Sequence, residues 1–262
     1  MLSLMFTPVV TQAAYTTNFE NAVPGGTQGN FAPQDGWTIS DPQEFLSFVQ
    51  TGSAYTAGSG QSVGFGGFFA VPASQTSVSL SRTINETLRY SAFSVDFAII
   101  NSFVDADPLF DGPWYPGDDT FGFSLSDSSG EILTIDVAPT GAAGGNFRKL
   151  VVLGVDVPVN GLTASDFNTP AWYTLGMTFA ANGADLDYFG TLANGSITFN
   201  GTLAGKANTV VTGLAMNFDI AGADPSLAGS NYLLVDNISI PEPTSLMSVL
   251  LAVGLLGARR RR

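Results

Sequence analysis

The chain reads as all-β: an antiparallel two-sheet sandwich of the jelly-roll kind, closed by a short C-terminal hydrophobic helix. Three observations predict this. Apolar residues alternate with polar ones in run after run between residues 15 and 240, the period of a half-buried strand. Turn signals such as Asn182-Gly183 separate these runs. No segment before the tail sustains the 3.6-residue apolar period of an amphipathic helix.

Bulk properties agree with one large β domain. The 262 residues are 45% hydrophobic and can bury a substantial core. The 30 glycines and 14 prolines exceed the usual share without reaching a low-complexity composition. Cysteine and histidine are both absent. Disulfides, thiolate or imidazole zinc sites, Cys–His catalysis and Ser–His–Asp triads are thereby excluded. Up to Ile240, five basic residues face twenty-one acids, a formal charge of −16. Such a body repels nucleic acid and anionic lipid, so neither is expected as its partner.

Taken in order, residues 1–14 are apolar and end in Thr11-Gln12-Ala13-Ala14, where cleavage after Ala13 would set small residues at the positions signal peptidase reads. The segment lacks a basic n-region and is short, so it reads as the remnant of a signal peptide whose true start lies upstream. A first β-strand is the alternative. Residues 15–240 form the sandwich domain. Its strands show in Phe93–Ile99, with Phe93, Val95, Phe97 and Ile99 on one face, and again in Thr120–Leu125, Ile132–Val137, Thr174–Phe179 and Ser196–Phe199. Turns are expected at Ser128-Ser129-Gly130, Asn160-Gly161, Asn182-Gly183, Asn194-Gly195 and Asn200-Gly201. Asp185-Leu186-Asp187 reads as a loop. A propeller or β-helix would need an internal repeat, and none is visible.

Two acidic groupings are candidate sites. Asp105 to Asp119 places five carboxylates around Trp114 and Tyr115 on a Gly/Pro-rich loop. Hard oxygen ligands there suit Ca²⁺, and the aromatic pair suits stacking on a sugar face; a solvated loop with buried aromatic anchors is the alternative. Asn18 and Glu20 open the domain, and Asp236 and Asn237 close it. Were first and last strands neighbours, Glu20 and Asp236 could share a structural Ca²⁺; solvation at a strand edge is the alternative. For catalysis, a glycosidase needs two carboxylates about 5–9 Å apart. No two glutamates share a strand with same-face spacing, while Asp96 and Asp136 fall on the polar side of their strands, where exposure is expected. No enzyme activity is expected.

The tail carries the most specific signal. Pro241-Glu242-Pro243 is followed by fifteen uncharged residues, Thr244 to Ala258, and then Arg259, Arg260, Arg261 and Arg262. As a helix the apolar stretch would reach roughly 22 Å, against about 30 Å of bilayer hydrocarbon. That is marginal for a permanent anchor and suits transient insertion, with the arginines on the cytoplasmic side. A core helix, the alternative, would need a polar face that these residues do not supply. Residues 241–262 resemble the PEP-CTERM sorting signal in the order of all three parts. The resemblance implies export, with Pro241, Glu242 and Pro243 as the motif read by an exosortase and Arg259 to Arg262 as a stop signal. It further implies a cell-surface or extracellular-matrix location beside extracellular polysaccharide or biofilm.

The body has a looser likeness. Asn18-Phe19-Glu20, Asp35-Gly36-Trp37, Gly58 to Gly64 and the closing Tyr232 to Ile240 resemble jelly-roll carbohydrate-binding and concanavalin/laminin-G-like modules. This implies a first strand lying near the last. Two functions stay open: a non-catalytic glycan-binding module, or a structural matrix protein with no specific ligand. Trp114, Tyr115, Trp172 and Tyr173 discriminate them by being exposed or core.

Overall fold

The computed structural model describes residues 15–19, 22, 31, 34–40, 47–51, 57, 60–66, 77–88, 92–101, 120–140, 148–157, 162–163, 165, 170–192, 197–219 and 231–240. Within them the chain forms β1 (Tyr15–Thr17), β2 (Trp37–Ile39), β3 (Ser47–Thr51), β4 (Gln61–Gly66), β5 (Ser77–Thr87), β6 (Ala92–Asn101), β7 (Thr120–Asp127) and β8 (Gly130–Pro139). There follow β9 (Arg148–Val152), β10 (Val155–Val157), β11 (Trp172–Asn182), β12 (Asp185–Leu192), β13 (Ile197–Leu203), β14 (Val210–Asp219) and β15 (Asn231–Ile240). A single 3-10 turn, Gln34–Gly36, precedes β2.

Two antiparallel sheets result. One has eight strands in the order β13-β12-β11-β6-β15-β4-β3, with β1 also paired to β15. The other has seven, in the order β10-β9-β8-β7-β14-β5-β2. The expected alternation decides which faces meet. Phe93, Val95, Phe97 and Ile99 of β6 oppose Phe121, Phe123 and Leu125 of β7, and all are buried in one apolar cluster. Rings bridge the sheets, with Phe97 5.8 Å and Phe93 6.5 Å from Phe123. Each sheet alone would leave one apolar face in water; stacking them removes both. The two-sheet class and the pairing of first strand with last agree with the sequence expectation.

Two expectations, and the alternative of strand-edge solvation at Asp236, need correcting. Asn200-Gly201 is no turn: it lies inside β13, where the Tyr188 ring covers Gly201 so closely that a Cβ would collide with it. Glycine serves there for close approach, not for bending. Asp185 and Asp187 belong to β12 rather than a loop, since Leu186 between them is a core residue. The last strand is also not an edge. β15 lies between β6 on one side and β4 and β1 on the other, so Asp236 is fully buried instead of solvated. Asn182-Gly183 and Ser128-Ser129-Gly130 do turn, the glycines holding φ of 65° and 122°. The 1–14 segment, the 241–262 tail with its helix, Asn160-Gly161 and Asn194-Gly195 lie outside the described residues. Among the described residues no helix is long and apolar enough to cross a membrane.

Candidate functional site

Strands β11, β12 and β13 send one set of side chains inward and the other out from the eight-stranded sheet. Leu175, Met177, Phe179, Leu186, Leu192, Phe199 and Leu203 take the inner positions. Phe189 takes an outer one. It is 47% exposed, flanked in register by Thr178 on β11 and Asn200 on β13. Thr198 and Thr202 stand exposed on the same face of β13. Asp187 accepts hydrogen bonds from Asn182 Nδ2 (3.0 Å) and Thr202 Oγ1 (2.7 Å), which fixes the carboxylate beside the ring. An exposed aromatic plane among hydroxyls and amides can stack on the apolar face of a sugar while its neighbours meet the ring hydroxyls. The sequence reading missed Phe189. Alternation in Leu186, Tyr188 and Gly190 placed it outward, but reading Asp185 to Asp187 as a loop concealed the strand.

Further along the same face lies a polar network. Asp96 of β6 and Asp236 of β15 are paired directly across the strands. Like charges so placed repel. Asn237, in a left-handed conformation (φ 48°) at a register irregularity in β15, separates them. Its Nδ2 donates to Asp96 Oδ2 (2.9 Å) and its backbone N–H donates to Asp236 Oδ1 (2.8 Å). Thr174 Oγ1 donates to Asp96 Oδ1 (2.6 Å), and the Ala57 N–H donates to Asp236 Oδ2 (3.0 Å). The network binds β11, β6 and β15 to the segment at Ala57. Both oxygens of Asp236 thus serve backbone amides. Glu20, its expected calcium partner, lies outside the described residues, as do Trp114, Tyr115 and the Asp105–Asp119 loop. Among the described residues no three acidic side chains gather as a metal would require.

The remaining expected aromatics divide. Tyr173 packs on Phe97 (5.7 Å between ring centres), and its hydroxyl accepts the Thr163 N–H at 3.0 Å. Trp172 lies on the outer face over Ala98, Ile100 and Leu234, all fully buried. Both are half-buried, whereas Phe189 is exposed.

The outer face of the seven-stranded sheet is acidic. Asp136 lies so close over Gly122 that a Cβ there would collide with its carboxylate. Burial first, then the charges of Asp219 and Glu131, push Asp136 up to about 6. The expectation of simple exposure is corrected: the glycine opposite lets the carboxyl fold down onto the sheet. Burial raises Asp219 as well. At the other end of the sandwich a cavity of about 350 Å³ is lined by Thr17, Asn18, Phe19, Phe31, Gln34 and Asp35.

Comparison with known proteins places the tail. Residues 239–262 match the family described as the PEP-CTERM protein-sorting motif. The chain carries a PEP-CTERM sorting signal. That signal marks an exported protein and implies processing by an exosortase. No curated protein matches the chain. Among solved structures, a variant of alginate lyase Aly36B in complex with alginate trisaccharide is 14% identical, covering 88% of this chain and 99% of that one at TM-score 0.50. The marine PL-14 alginate lyase from Aplysia kurodai is 11% identical over 87% and 98%, also at 0.50. A CBM2 module of the evolved Dit of Lactobacillus casei BL23 phage J-1 is 11% identical over 88% and 96%, at 0.48. The first two likenesses show the two-sheet β-sandwich fold, and the fold alone.

Proposed function

We propose that this PEP-CTERM protein is an exported, exosortase-processed surface or matrix protein whose sandwich binds neutral glycan chains without cleaving them. The observation that carries the reading is Phe189, an exposed ring set among Thr178, Asn200, Thr198 and Thr202 on a sheet face. Charge selects the ligand class: a body at −16 repels uronate and other anionic chains. The acids paired across the strands, Asp96 and Asp236, have their oxygens committed to Thr174, Asn237 and Ala57, which supports binding without catalysis. A neutral-glycan array probed with the exported protein, with and without Ca²⁺, tests this. Phe189→Ala is expected to weaken binding about tenfold, the equivalent of one stacked ring at about 1.4 kcal/mol. Binding that depends on Ca²⁺ and survives the substitution would move the site to Glu20 and Asp236 or to the Trp114–Tyr115 loop.

A structural matrix role is the second reading. The half-buried positions of Trp172 and Tyr173, each packed on core side chains, favour it. It would follow from an array without binding.

A further inference from the structure

The sorting motif and the sandwich share residues. The motif begins at Ser239, while β15 continues to Ile240. Ile238 and Ile240 are 0% and 1% exposed, both inside the main core. They are held on two sides. Ser239 pairs with Ser94 of β6, and β1 pairs residue by residue, Tyr15 with Ile240, Thr16 with Ser239 and Thr17 with Ile238. β1 is itself pinned. Trp37 Nε1 donates to the Tyr15 hydroxyl at 3.1 Å, and the Arg82 guanidinium lies 4.3 Å from the Tyr15 ring centre. Arg82 in turn pairs with Asp35 at 3.0 Å. Pro241 follows Ile240 with no linker, and proline cannot donate to the ladder.

A peptidase binds its substrate as an extended strand on both sides of the scissile bond. Residues 238–240 cannot lie in such a cleft and in the sheet at once. Drawing them out would expose two core isoleucines and break the ladders to β6 and β1. From these constraints, and resting on the sorting reading above, we infer that the tail is removed from the already folded domain, downstream of the Ile240–Pro241 bond. β1 is the clamp that sets this limit. Water breaks the bond; the domain keeps the new carboxylate and the tail leaves with the new amino group. The enzyme must then take its grip from Pro241 onward. Four residues from Ile240 to Thr244 span at most about 14 Å, so the β1–β15 corner meets the enzyme close to the membrane.

Intact-mass measurement of the exported protein tests the limit. The expected product ends at Pro241 or beyond. A mature form still ending at Arg262 would overturn the sorting reading itself. A product lacking the tail but ending at Ile240 or upstream would overturn this inference and leave the sorting reading intact. Tyr15→Ala should loosen the clamp: amide-exchange protection at Ile238 to Ile240 drops about tenfold, and the product ends spread upstream. Sharp ends despite lost protection would remove β1 from the account. A Gly-Ser-Gly-Ser insertion between Ile240 and Pro241 leaves the sandwich untouched and frees the upstream residues to extend. Tail loss should then proceed severalfold faster in pulse-chase, and an unchanged rate would show that the clamp imposes no constraint.

Discussion

Asp136 shows how a side chain on the polar side of a strand becomes energetically consequential. Its neighbour across the ladder is Gly122, so the carboxyl settles against backbone and loses water. Its pKa of about 6 lies above the ordinary 3.8, so the native state holds the proton more tightly than the unfolded chain. The associated stability is complete below about pH 4 and is lost as pH rises through 6. Asp136→Asn is therefore expected to raise the thermal midpoint at pH 7 and to flatten its fall between pH 4 and 6. The gain is about 1 kcal/mol after allowance for the half-exposed site. Asp127 runs the other way. Hydrogen bonds from Lys206 and then Ser129 lower it to about 2, so its contribution is present above pH 4 and fades as pH drops toward 2. Lys206→Ala should reduce that acid-side fall, leaving the part due to Ser129, read by the same pH series of melting curves. Gly201→Ala sets a side chain against the Tyr188 ring inside the core layer. Overpacking of this kind costs about 1–3 kcal/mol, and a lowered denaturation midpoint with unchanged slope is the expected result.

Among the elements, β15 carries the most connections. It lies between β6, β4 and β1, holds Leu233, Val235, Ile238 and Ile240 in the core, and passes directly into the sorting motif. Its one irregularity, between Asp236 and Ser239, turns two successive isoleucine positions inward and lets Asn237 reach Asp96. Asn237→Ala removes that bond and places a residue without local hydrogen bonding in the left-handed region. A loss of about 1–2 kcal/mol is expected from the unpaired Asp96 oxygen and the strained backbone. Asn237→Gly relieves the strain while losing the same bond, so its smaller loss separates the two contributions. If both variants melt with the parent, the network is not a structural staple.

The described residues of the molecule form a sandwich whose eight-stranded sheet differs in character from one side to the other. One corner gathers β1, the end of β15 and the exit of the tail; the β11–β13 end of the eight-stranded sheet presents Phe189. The proposed glycan platform and the start of the sorting motif thus lie at different parts of the eight-stranded sheet. The body is expected to fold without the tail, because every described core residue lies between Phe19 and Ile240. Residues 15–240 should give a β-type circular dichroism spectrum with one cooperative melt. A dominant helical signal would contradict the fold.

The sequence by itself determined the strand-rich class, the faces of β6, β7, β8 and β11, and the sorting signal, since each is written within a few consecutive residues. Period-two alternation needs no partner to be seen, and Pro241 to Arg262 is contiguous. Only the tertiary structure decided what depends on neighbours distant in the chain. Gly201 looked like a turn until Tyr188 was laid across it, and solvation stayed open for Asp236 until β15 was placed inside the sheet. Phe189 became a candidate platform, and Trp172 was seen to pack on Ala98, Ile100 and Leu234, only through how the strands lie together. Strand pairing is non-local: local pattern gives a residue its face, while burial follows from which strands and segments come to lie against that face.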